Sequence, residues 1–494
     1  MTVFLVGAGP GDPGLLTVRG AEVLRRADVV VYDRLSVAAL LDLAPPAAER
    51  IPVGKAPGRV TMPQDDINAL LVARGASGQT VVRLKGGDPF VFARGGEEAA
   101  ALAAAGVPFE IVPGITSAIA VPAYAGIPVT LRHSSTSFTV ITGHEDPDAT
   151  TSVDWEAAAR LGGTIVVLMG VGRLAGIVAR LRAGGLAGDT PVAAVRWGTR
   201  PDQTTVRATL DTILEHPLAS PSVIVIGAVA AQDLAWFSRR PLLGRRVVVT
   251  RTRTQASELS AALRAHGAEP IEVPVIEVVA PDDPALLDAA VLACRAGAYD
   301  WVVLTSPNGV ERFCAALRDG RDLAGARLAA IGPGTAAALA RQHLVADLVP
   351  DRFVAEALLD ALGAPPPGGG RVLLARAAVA RDVLPDGLRS RGWDVDVVPV
   401  YRTMPVRPPD DARASVASAD VVTFTSSSTV EHFVAAFGTA ALPPTIACIG
   451  PVTAATARAH GIDVTVEAGE HTIAGLVAAL VARLGPDGAA PGDS

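Results

Sequence analysis

Two glycine-rich loops contain the first residues of this sequence that could do chemistry. The first, Gly7-Ala-Gly-Pro-Gly-Asp-Pro13, follows an apolar strand, and Asp33 ends the next strand, which invites a dinucleotide-binding interpretation. The third glycine of that fingerprint is replaced by Asp12, whose carboxylate would repel a pyrophosphate at a helix N-terminus. Pro10 and Pro13 also remove two amide donors. This loop therefore argues against a nicotinamide cofactor.

The second loop is Gly86-Gly87-Asp88, which again follows an apolar strand. Its two glycines would let the main chain approach a ligand closely. The Asp88 carboxylate could accept hydrogen bonds from hydroxyl groups or neutralise a cation. Segments 112–118 and 168–170 have a similar character and join these loops as candidate parts of one small-molecule site.

The second half of the chain contains an internal repeat that carries hydroxyl side chains. Segment 300–313 recurs as 420–433, and segment 331–336 recurs as 449–454. A period of this length predicts two similar α/β lobes rather than a solenoid. Both Thr-Ser pairs of the repeat fall after strands, where open parallel sheets bind ligands, so the lobes would face each other like a clamshell. Alternatively, these hydroxyls belong only to strand ends and helix caps.

The elements that must position these residues are short β-branched runs alternating with Ala/Leu/Arg stretches of helical period. Unbroken apolar strands of this kind predict an α/β protein with parallel sheets covered on both faces. A break near 236–244 precedes a fresh strand and indicates that two folded halves meet there. The predicted domains are 1–240 and 244–483, followed by a disordered tail over 484–494.

The composition excludes several classes of protein. The chain has 494 residues, of which 50% are hydrophobic and 19% charged, so it is not intrinsically disordered. A net charge of -7 argues against nucleic acid as a partner. The only cysteines are Cys294, Cys314 and Cys448, so neither a disulfide scaffold nor a thiolate metal site is expected, and no metal is predicted. The N-terminus lacks a signal pattern and the longest apolar run, 223–231, is far shorter than the roughly 20 residues of a membrane helix, which predicts a soluble cytoplasmic protein.

Residues 2–238 resemble the uroporphyrinogen-III C-methyltransferases, members of the tetrapyrrole methylase family that use S-adenosylmethionine. The resemblance is carried by segments 7–13, 64–98, 112–118, 125–130 and 142–144. The second half, from residue 244 to about 483, resembles the uroporphyrinogen-III synthases. Its marks are segments 249–251, 305–308, 400–403 and 449–453. The two resemblances support each other because the synthase product is the methyltransferase substrate.

The first resemblance implies two α/β subdomains with an S-adenosylmethionine cleft between them. The implied cofactor contacts, made largely through main chain, are Pro10, Gly86, Gly87, Asp88, Val91, Thr116, Ser117, Met169 and Gly198. The resemblance also implies an acid/base pair, Asp33 and Lys55, with Arg94 and Glu97 in substrate proton handling or binding. Because the tetrapyrrole carries carboxylates, cations are implied at the substrate side, and a surface salt bridge is the alternative for any single arginine. The matching cations are Arg34, Arg94, Arg132 and His144.

The second resemblance implies closure of hydroxymethylbilane to uroporphyrinogen III, with inversion of ring D and loss of water. It implies no cofactor and no essential nucleophile, because the protein mainly holds the linear tetrapyrrole in a productive shape. Tyr401 and Thr453 match positions proposed to assist, and Thr305, Ser306 and Ser427 face the same cleft. A hinge role for Tyr401 without chemistry stays open.

Together the halves predict a bifunctional enzyme that makes uroporphyrinogen III and methylates it at C2 and C7 to precorrin-2, for sirohaem or cobalamin. The methylase resemblance suggests a homodimer through the first half. Four departures from the family pattern, Ala56, Val60, Leu131 and Leu168, remove cationic or polar groups from the expected substrate side. One alternative is a tetrapyrrole-binding protein with only the synthase half active. A nicotinamide oxidoreductase with a clamshell substrate domain is another.

Overall fold

The chain folds as two compact units, Met1–Gly244 and Arg245–Ser494. The structure is a computed structural model that describes residues 2–33, 38–54, 62–144, 153–251, 253–408 and 412–486. Two five-stranded sheets lie in each unit, with helices connecting their strands, which confirms the predicted α/β class. Most of the predicted disordered tail falls outside the described residues.

The first unit begins with a five-stranded parallel sheet in the order β3-β2-β4-β1-β5. Both faces of its central strands are buried, which is why they read as continuous apolar runs. Since all strands run the same way, the loops after them meet at one edge of the sheet. In chain order the elements are β1 (Val3–Gly7), α1 (Val18–Leu24), β2 (Val29–Tyr32), α2 (Ala38–Leu41), β3 (Glu49–Pro52), α3 (Gln64–Ala76), β4 (Val81–Lys85), α4 (Gly95–Ala104), β5 (Phe109–Val112) and α5 (Ser117–Tyr124).

The second sheet of this unit is mixed. Only β6 and β7 pair in parallel, whereas β7-β10, β10-β8 and β8-β9 are antiparallel, so the expectation of parallel sheets throughout is wrong here. An apolar run reports burial on both faces, which β10 also has, and carries no information about strand direction. The elements are β6 (Phe138–Thr142), α6 (Trp155–Leu161), β7 (Thr164–Leu168), α7 (Leu174–Ala183), β8 (Pro191–Arg196), β9 (Thr204–Thr209) and β10 (Ser222–Ile226).

The second unit contains the rest of the helices and strands that the structure describes. Its first part comprises β11 (Arg246–Val249), α8 (Arg253–Ala265), β12 (Glu269–Glu272), β13 (Ile276–Val279), α9 (Pro284–Arg295), β14 (Trp301–Leu304), α10 (Pro307–Ala316), β15 (Arg327–Ala330), α11 (Pro333–Arg341) and α12 (Ala355–Leu362). Its last part comprises β16 (Arg371–Ala377), α13 (Val383–Ser390), β17 (Asp394–Pro405), α14 (Ala412–Ala417), β18 (Val421–Phe424), α15 (Ser427–Phe437), β19 (Thr445–Cys448), α16 (Pro451–Ala459), β20 (Val466–Glu467) and α17 (Ile473–Leu484).

These elements form the two predicted lobes. The first lobe has the all-parallel sheet β12-β11-β18-β19-β20, and the second lobe has the sheet β13-β17-β16-β14-β15, in which β13 alone is antiparallel. The chain enters the second lobe after β12 and returns to the first after β17. The repeated segments are equivalent elements: β14-α10-β15-α11 in the second lobe correspond to β18-α15-β19-α16 in the first. The predicted pseudo-repeated clamshell is thereby confirmed.

Candidate active sites

Three loops of the first unit converge where β1, β4 and β5 end. The main chains of Gly9 and Gly87 pair, with the Gly87 amide donating to the Gly9 carbonyl at 2.8 Å and the reverse bond at 3.2 Å. Both glycines have left-handed backbone, at φ +73° and +70°. A Cβ built on Gly7 would overlap the Cα of Gly114 and the carbonyl oxygen of Gly87. Glycine is required here because backbone packs directly on backbone.

This convergence forms one wall of a cavity of about 320 Å³ lined by residues from both sheets of the unit. Most of the predicted methylase-site residues line it, namely Pro10, Asp33, Gly86, Gly87, Asp88, Val91, Thr116, Ser117 and Gly198. The opposite wall comes from the β8–β9 loop and the start of β10, with Trp197, Arg200 and Ser222. Of that wall, only Gly198 was predicted from the sequence. Trp197 and Arg200 could have been predicted from their position in the same turn as Gly198.

The Asp88 carboxylate already accepts hydrogen bonds within the protein, which the sequence did not indicate. Its carboxylate accepts hydrogen bonds from the amide of Phe90 at 2.8 Å and the amide of Gly114 at 3.0 Å. Asp88 therefore ties the β4 loop to the β5 loop. Contact with a ligand hydroxyl would use the remaining lone pairs of the same oxygens.

Asp12, which interrupts the dinucleotide fingerprint, has a structural role. Its carboxylate accepts from the Tyr124 hydroxyl at 2.7 Å and caps a short 3-10 turn through the amide of Gly14 at 2.7 Å. Burial, reinforced by the Asp12 hydrogen bond, raises the pKa of Tyr124 above its usual value. The Asp12 amide in turn donates to the Thr199 hydroxyl at 3.0 Å. Asp12 thus joins the β1 loop to α5 and to the β8–β9 loop.

A charged cluster that the sequence analysis missed lies behind the Asp33 side of the cavity. The Arg83 guanidinium donates to Asp33 at 2.7 Å and to Glu98 at 3.0 Å, and Lys85 donates to Glu98 at 2.8 Å. Arg83, Lys85 and Glu98 are 2%, 3% and 0% exposed. Burial and the neighbouring Arg83 charge lower the pKa of Lys85. Two cations in a fully buried strand were the signal, because long charged side chains are almost never fully buried unless paired.

The remaining predicted methylase residues lie outside the cavity lining or outside the described residues. Arg94 and Glu97 form an exposed, bidentate ion pair with two 2.7 Å hydrogen bonds. That pairing lowers the pKa of Glu97 and raises the pKa of Arg94. Three other predicted side chains are exposed away from the lining: Met169, Arg132 and His144. Arg34 and Lys55 fall outside the described residues.

Two of the four family departures prove to be core positions. Leu168 is buried, and Leu131 packs against the same hydrophobic cluster as Leu168. The leucine at position 168 therefore packs in the core at the end of β7. The effect of this departure on the substrate side stays a prediction. Ala56 and Val60 fall outside the described residues.

In the second unit, Ser306 and Tyr401 come together at the end of β14. Their hydroxyl groups are 3.0 Å apart, and Ser306 also accepts from the Gly309 amide as the cap of α10. Tyr401 is buried on β17, close to the point where the chain leaves the second lobe. Burial raises the pKa of Tyr401, and its bonds to Ser306 and Asn308 offset this in part. The hydroxyl of Tyr401 is therefore a neutral group held in place.

The other predicted hydroxyls of this unit are divided between the lobes. Thr305 lies beside Ser306 in the second lobe and is partly exposed. Ser427 and Thr453 lie in the first lobe, where the Ser427 hydroxyl bonds to the Thr456 hydroxyl at 2.7 Å and Thr453 is buried in the first turn of α16. All of them follow strands at carboxyl ends, as the repeat predicted.

One contact joins equivalent positions of the two lobes. Phe353 and His471 stand 118 residues apart, the same spacing as Gly332 and Gly450 in the repeat. Their rings contact edge to face with centroids 6.3 Å apart. A Cβ on Gly332 would crowd Phe353, and a Cβ on Gly450 would crowd His471. The repeat is thus reflected in paired contacts as well as in strands.

None of the helices in the described residues is long and apolar enough to cross a membrane. Nor do histidine, cysteine and carboxylate side chains in those same ranges gather in groups of three or more that could hold a metal ion.

Two family profiles match the chain, one in each unit. Residues 2–214 match Tetrapyrrole (Corrin/Porphyrin) Methylases, and residues 257–478 match Uroporphyrinogen-III synthase HemD. An S-adenosyl-L-methionine-dependent uroporphyrinogen III methyltransferase of Methanosarcina barkeri is 53% identical over 46% of this chain and 91% of its own length. A solved uroporphyrin-III C-methyltransferase of Thermus thermophilus, complexed with S-adenosyl homocysteine, is 39% identical, with a TM-score of 0.41 over 46% of this chain and 98% of its own.

One relative matches nearly the whole chain. The porphyrin biosynthesis protein HemD of Ruminiclostridium josui is 39% identical over 97% of both proteins. That alignment spans both units in the same order, as a fused protein requires. The chain therefore belongs to the porphyrin biosynthesis family in which a tetrapyrrole methylase is fused to a uroporphyrinogen-III synthase.

Proposed function

We propose that the chain is a bifunctional enzyme of tetrapyrrole biosynthesis. Its second unit closes hydroxymethylbilane to uroporphyrinogen III, with inversion of ring D and loss of water. Its first unit then transfers two methyl groups from S-adenosylmethionine to C2 and C7, which gives precorrin-2 for sirohaem or cobalamin. The observation that carries the proposal is the cavity at the three glycine loops, with Asp33 on its wall.

The cavity suits S-adenosylmethionine by size and by the chemistry of its lining. Its volume of about 320 Å³ is at the lower end of the range for small-molecule sites. Main-chain groups of the glycine loops and the Thr116 and Ser117 hydroxyls offer polar partners for a ribose and an amino acid. Val91 and Trp197 offer apolar surface for an adenine ring. S-adenosylmethionine supplies the methyl group from a sulfonium, which is a good leaving group.

In this proposal, Asp33 accepts the proton that a pyrrole ring must lose when it gains a methyl group. The Asp33 carboxylate is 31% exposed, and Arg83 donates to it at 2.7 Å from the buried side, so its direction is fixed from within the protein. Lys55 would be its acid partner, by resemblance alone. The exposed side chains of Arg94, Arg132 and His144 would bind substrate carboxylates, and Glu97 would hold Arg94 in position by its bidentate bond.

For ring closure, the second unit would act through shape and hydrogen bonds. Loss of the hydroxyl of hydroxymethylbilane as water requires a proton donor, and a neutral tyrosine is suited to this. The raised pKa of Tyr401 keeps its hydroxyl protonated, and the Ser306 bond at 3.0 Å fixes its direction. Thr305, Ser427 and Thr453 would hold the substrate.

An anaerobic incubation of the full chain with hydroxymethylbilane and S-adenosylmethionine tests both activities. We expect precorrin-2 and two equivalents of S-adenosylhomocysteine. The Asp33→Asn variant should still make uroporphyrinogen III but release almost no S-adenosylhomocysteine. Unmethylated uroporphyrinogen III from the unaltered chain would refute the methylase proposal, and a product that is mainly uroporphyrinogen I, the spontaneous isomer, would refute the synthase proposal.

A further inference from the structure

The buried cluster behind the cavity is built around a single carboxylate oxygen. Oε1 of Glu98 accepts from Arg83 Nε at 3.0 Å, from Lys85 Nζ at 2.8 Å and from Gln64 Nε2 at 3.3 Å. Oε2 of Glu98 is buried and has no hydrogen-bond partner within the ranges that the structure describes. Glu98 belongs to α4, whereas both cations belong to the central strand β4. The carboxylate therefore fixes the helix and the strand to each other at one atom.

Arg83 connects Glu98 to Asp33, which lines the cavity. Its Nε bonds Glu98, its Nη2 bonds Asp33 at 2.7 Å, and its Nη1 lies 3.4 Å from the carbonyl oxygens of Val31 and Leu84. Because all three nitrogens of the guanidinium contact oxygen acceptors, the group is held in one orientation. Among the four charged side chains of this cluster, Asp33 lines the cavity, whereas Arg83, Lys85 and Glu98 do not.

The charges of this cluster balance. Counted by formal charge, Arg83 and Lys85 contribute two positive charges and Glu98 and Asp33 two negative ones, so the four groups sum to zero in a region where an unpaired charge is very costly. Loss of the Glu98 charge would leave Arg83 and Lys85 with Asp33 as the remaining carboxylate of the cluster among the residues that the structure describes. The Arg83 guanidinium would then be drawn towards Asp33, and the Asp33 carboxylate would lose its alignment.

We infer that Glu98 is a positioning residue for methyl transfer, which acts through Arg83 to hold the Asp33 carboxylate at the cavity wall. This inference rests on the proposed role of Asp33. Two adjacent glutamates thus have different roles, since Glu97 is 51% exposed and bonds Arg94, whereas Glu98 is fully buried and bonds Arg83. Glu98 itself does not line the cavity, so its loss should leave binding in the cavity intact.

The test measures methylation by variants of the full chain, with uroporphyrinogen III and S-adenosylmethionine as substrates. Glu98→Gln keeps the shape of the side chain and removes its charge. We expect kcat to fall about tenfold or more, because small misplacements of a reacting group have effects of this size. The Kd for S-adenosylhomocysteine and the KM for S-adenosylmethionine should stay within about twofold of those of the unaltered chain.

Asp322→Asn is the matched control. Asp322 is also a buried carboxylate, 1% exposed and bonded to Arg318 at 2.6 Å, but it belongs to the second unit. It should lower the thermal midpoint without changing kcat for methylation. Should Glu98→Gln fail to fold, Arg83→Lys serves instead: it keeps the positive charge but cannot bridge Glu98 and Asp33, and the same loss of kcat at unchanged Kd is expected.

Three results would decide the matter. A Glu98→Gln protein, or Arg83→Lys in its place, with kcat within about twofold of the unaltered chain would overturn the inference and leave the cluster a purely structural one. A proportional rise in Kd would also overturn it, since Glu98 would then act on the cavity as a whole. If Asp33→Asn kept full activity, the proposed function of Asp33 would fail independently of the Glu98 result.

Discussion

At the scale of single residues, the three-loop convergence depends on glycine at position 7. In Gly7→Ala, the added methyl would overlap backbone atoms of Gly114 and Gly87, which cannot move independently. We expect the loops to separate, with at least a tenfold weaker Kd for S-adenosylhomocysteine and a loss of about 1–3 kcal/mol in the free energy of unfolding. Isothermal titration calorimetry and thermal unfolding measure the two effects.

Gly96→Ala is the control for that substitution. Gly96 lies in the first turn of α4 with nothing within 4 Å of a built Cβ. Replacing a helical glycine by alanine there should leave the Kd unchanged and raise stability by up to about 1 kcal/mol. Equal Kd values for the two variants would mean that the methyl group added at position 7 does not disturb binding of S-adenosylhomocysteine.

Tyr401 allows a prediction about pH at the same scale. Burial raises its pKa above the ordinary value of 10.0, so the hydroxyl stays protonated as the pH rises through neutrality towards 10. We expect the enzymatic rate of uroporphyrinogen III formation to show no alkaline loss from this group between about pH 7 and pH 10. Tyr401→Phe should lower the rate by a constant factor across that range. A wild-type rate that climbs with pH, absent from Tyr401→Phe, would instead identify the tyrosinate as the active form.

At the scale of secondary-structure elements, the sequence predicted where buried strands end but not whether neighbouring strands run parallel or antiparallel. Apolar runs followed by glycine or by Thr-Ser placed the ends of β14 and β18 correctly and those of β1 and β4 to within one residue. The antiparallel pairing of β10 was missed because a strand covered on both faces has the same composition in either direction. Arg83 and Lys85 were missed for a related reason, since their partner Glu98 comes from a helix that follows a separate loop.

The two repeated helices α10 and α15 provide a matched pair of capping serines. Ser306 accepts from the amide of Gly309 at 3.0 Å, and its equivalent Ser426 accepts from the amide of Thr429 at 3.3 Å. Ser306 also bonds Tyr401. Ser306→Ala and Ser426→Ala should each cost about 1 kcal/mol of stability. Only Ser306→Ala should slow uroporphyrinogen III formation severalfold, because only that cap also orients the tyrosine.

Thermal unfolding and initial rates on the two serine variants give the comparison. Rates that fall equally in both would show that capping alone matters. An unchanged rate in Ser306→Ala, with lowered stability, would show that the Ser306–Tyr401 bond has no part in the reaction.

At the scale of the whole molecule, the two units carry separate hydrophobic cores and separate candidate sites. The sequence predicts two halves because a fresh strand follows the break at 236–244, and the internal repeat predicts that the clamshell lies in the second half. The β8–β9 wall of the cavity was mostly missed because Trp197 and Arg200 lie 80 and 83 residues after Ser117, the last predicted lining residue that precedes them in the chain. Contacts between distant segments of this kind are set by packing, which spacing in sequence does not report.

Since each unit buries its own core, the chain should tolerate division after Gly244. We expect fragment 1–244 to bind S-adenosylhomocysteine and methylate added uroporphyrinogen III, and fragment 245–494 to make uroporphyrinogen III, each within about twofold of the full chain. An equimolar mixture should form precorrin-2 from hydroxymethylbilane after a lag, as uroporphyrinogen III builds up in solution. The full chain at the same concentration is the control: a shorter lag there would mean that fusion speeds transfer between the sites. Aggregation or loss of activity in either fragment alone would contradict the division, because it would mean that one unit needs the other to fold.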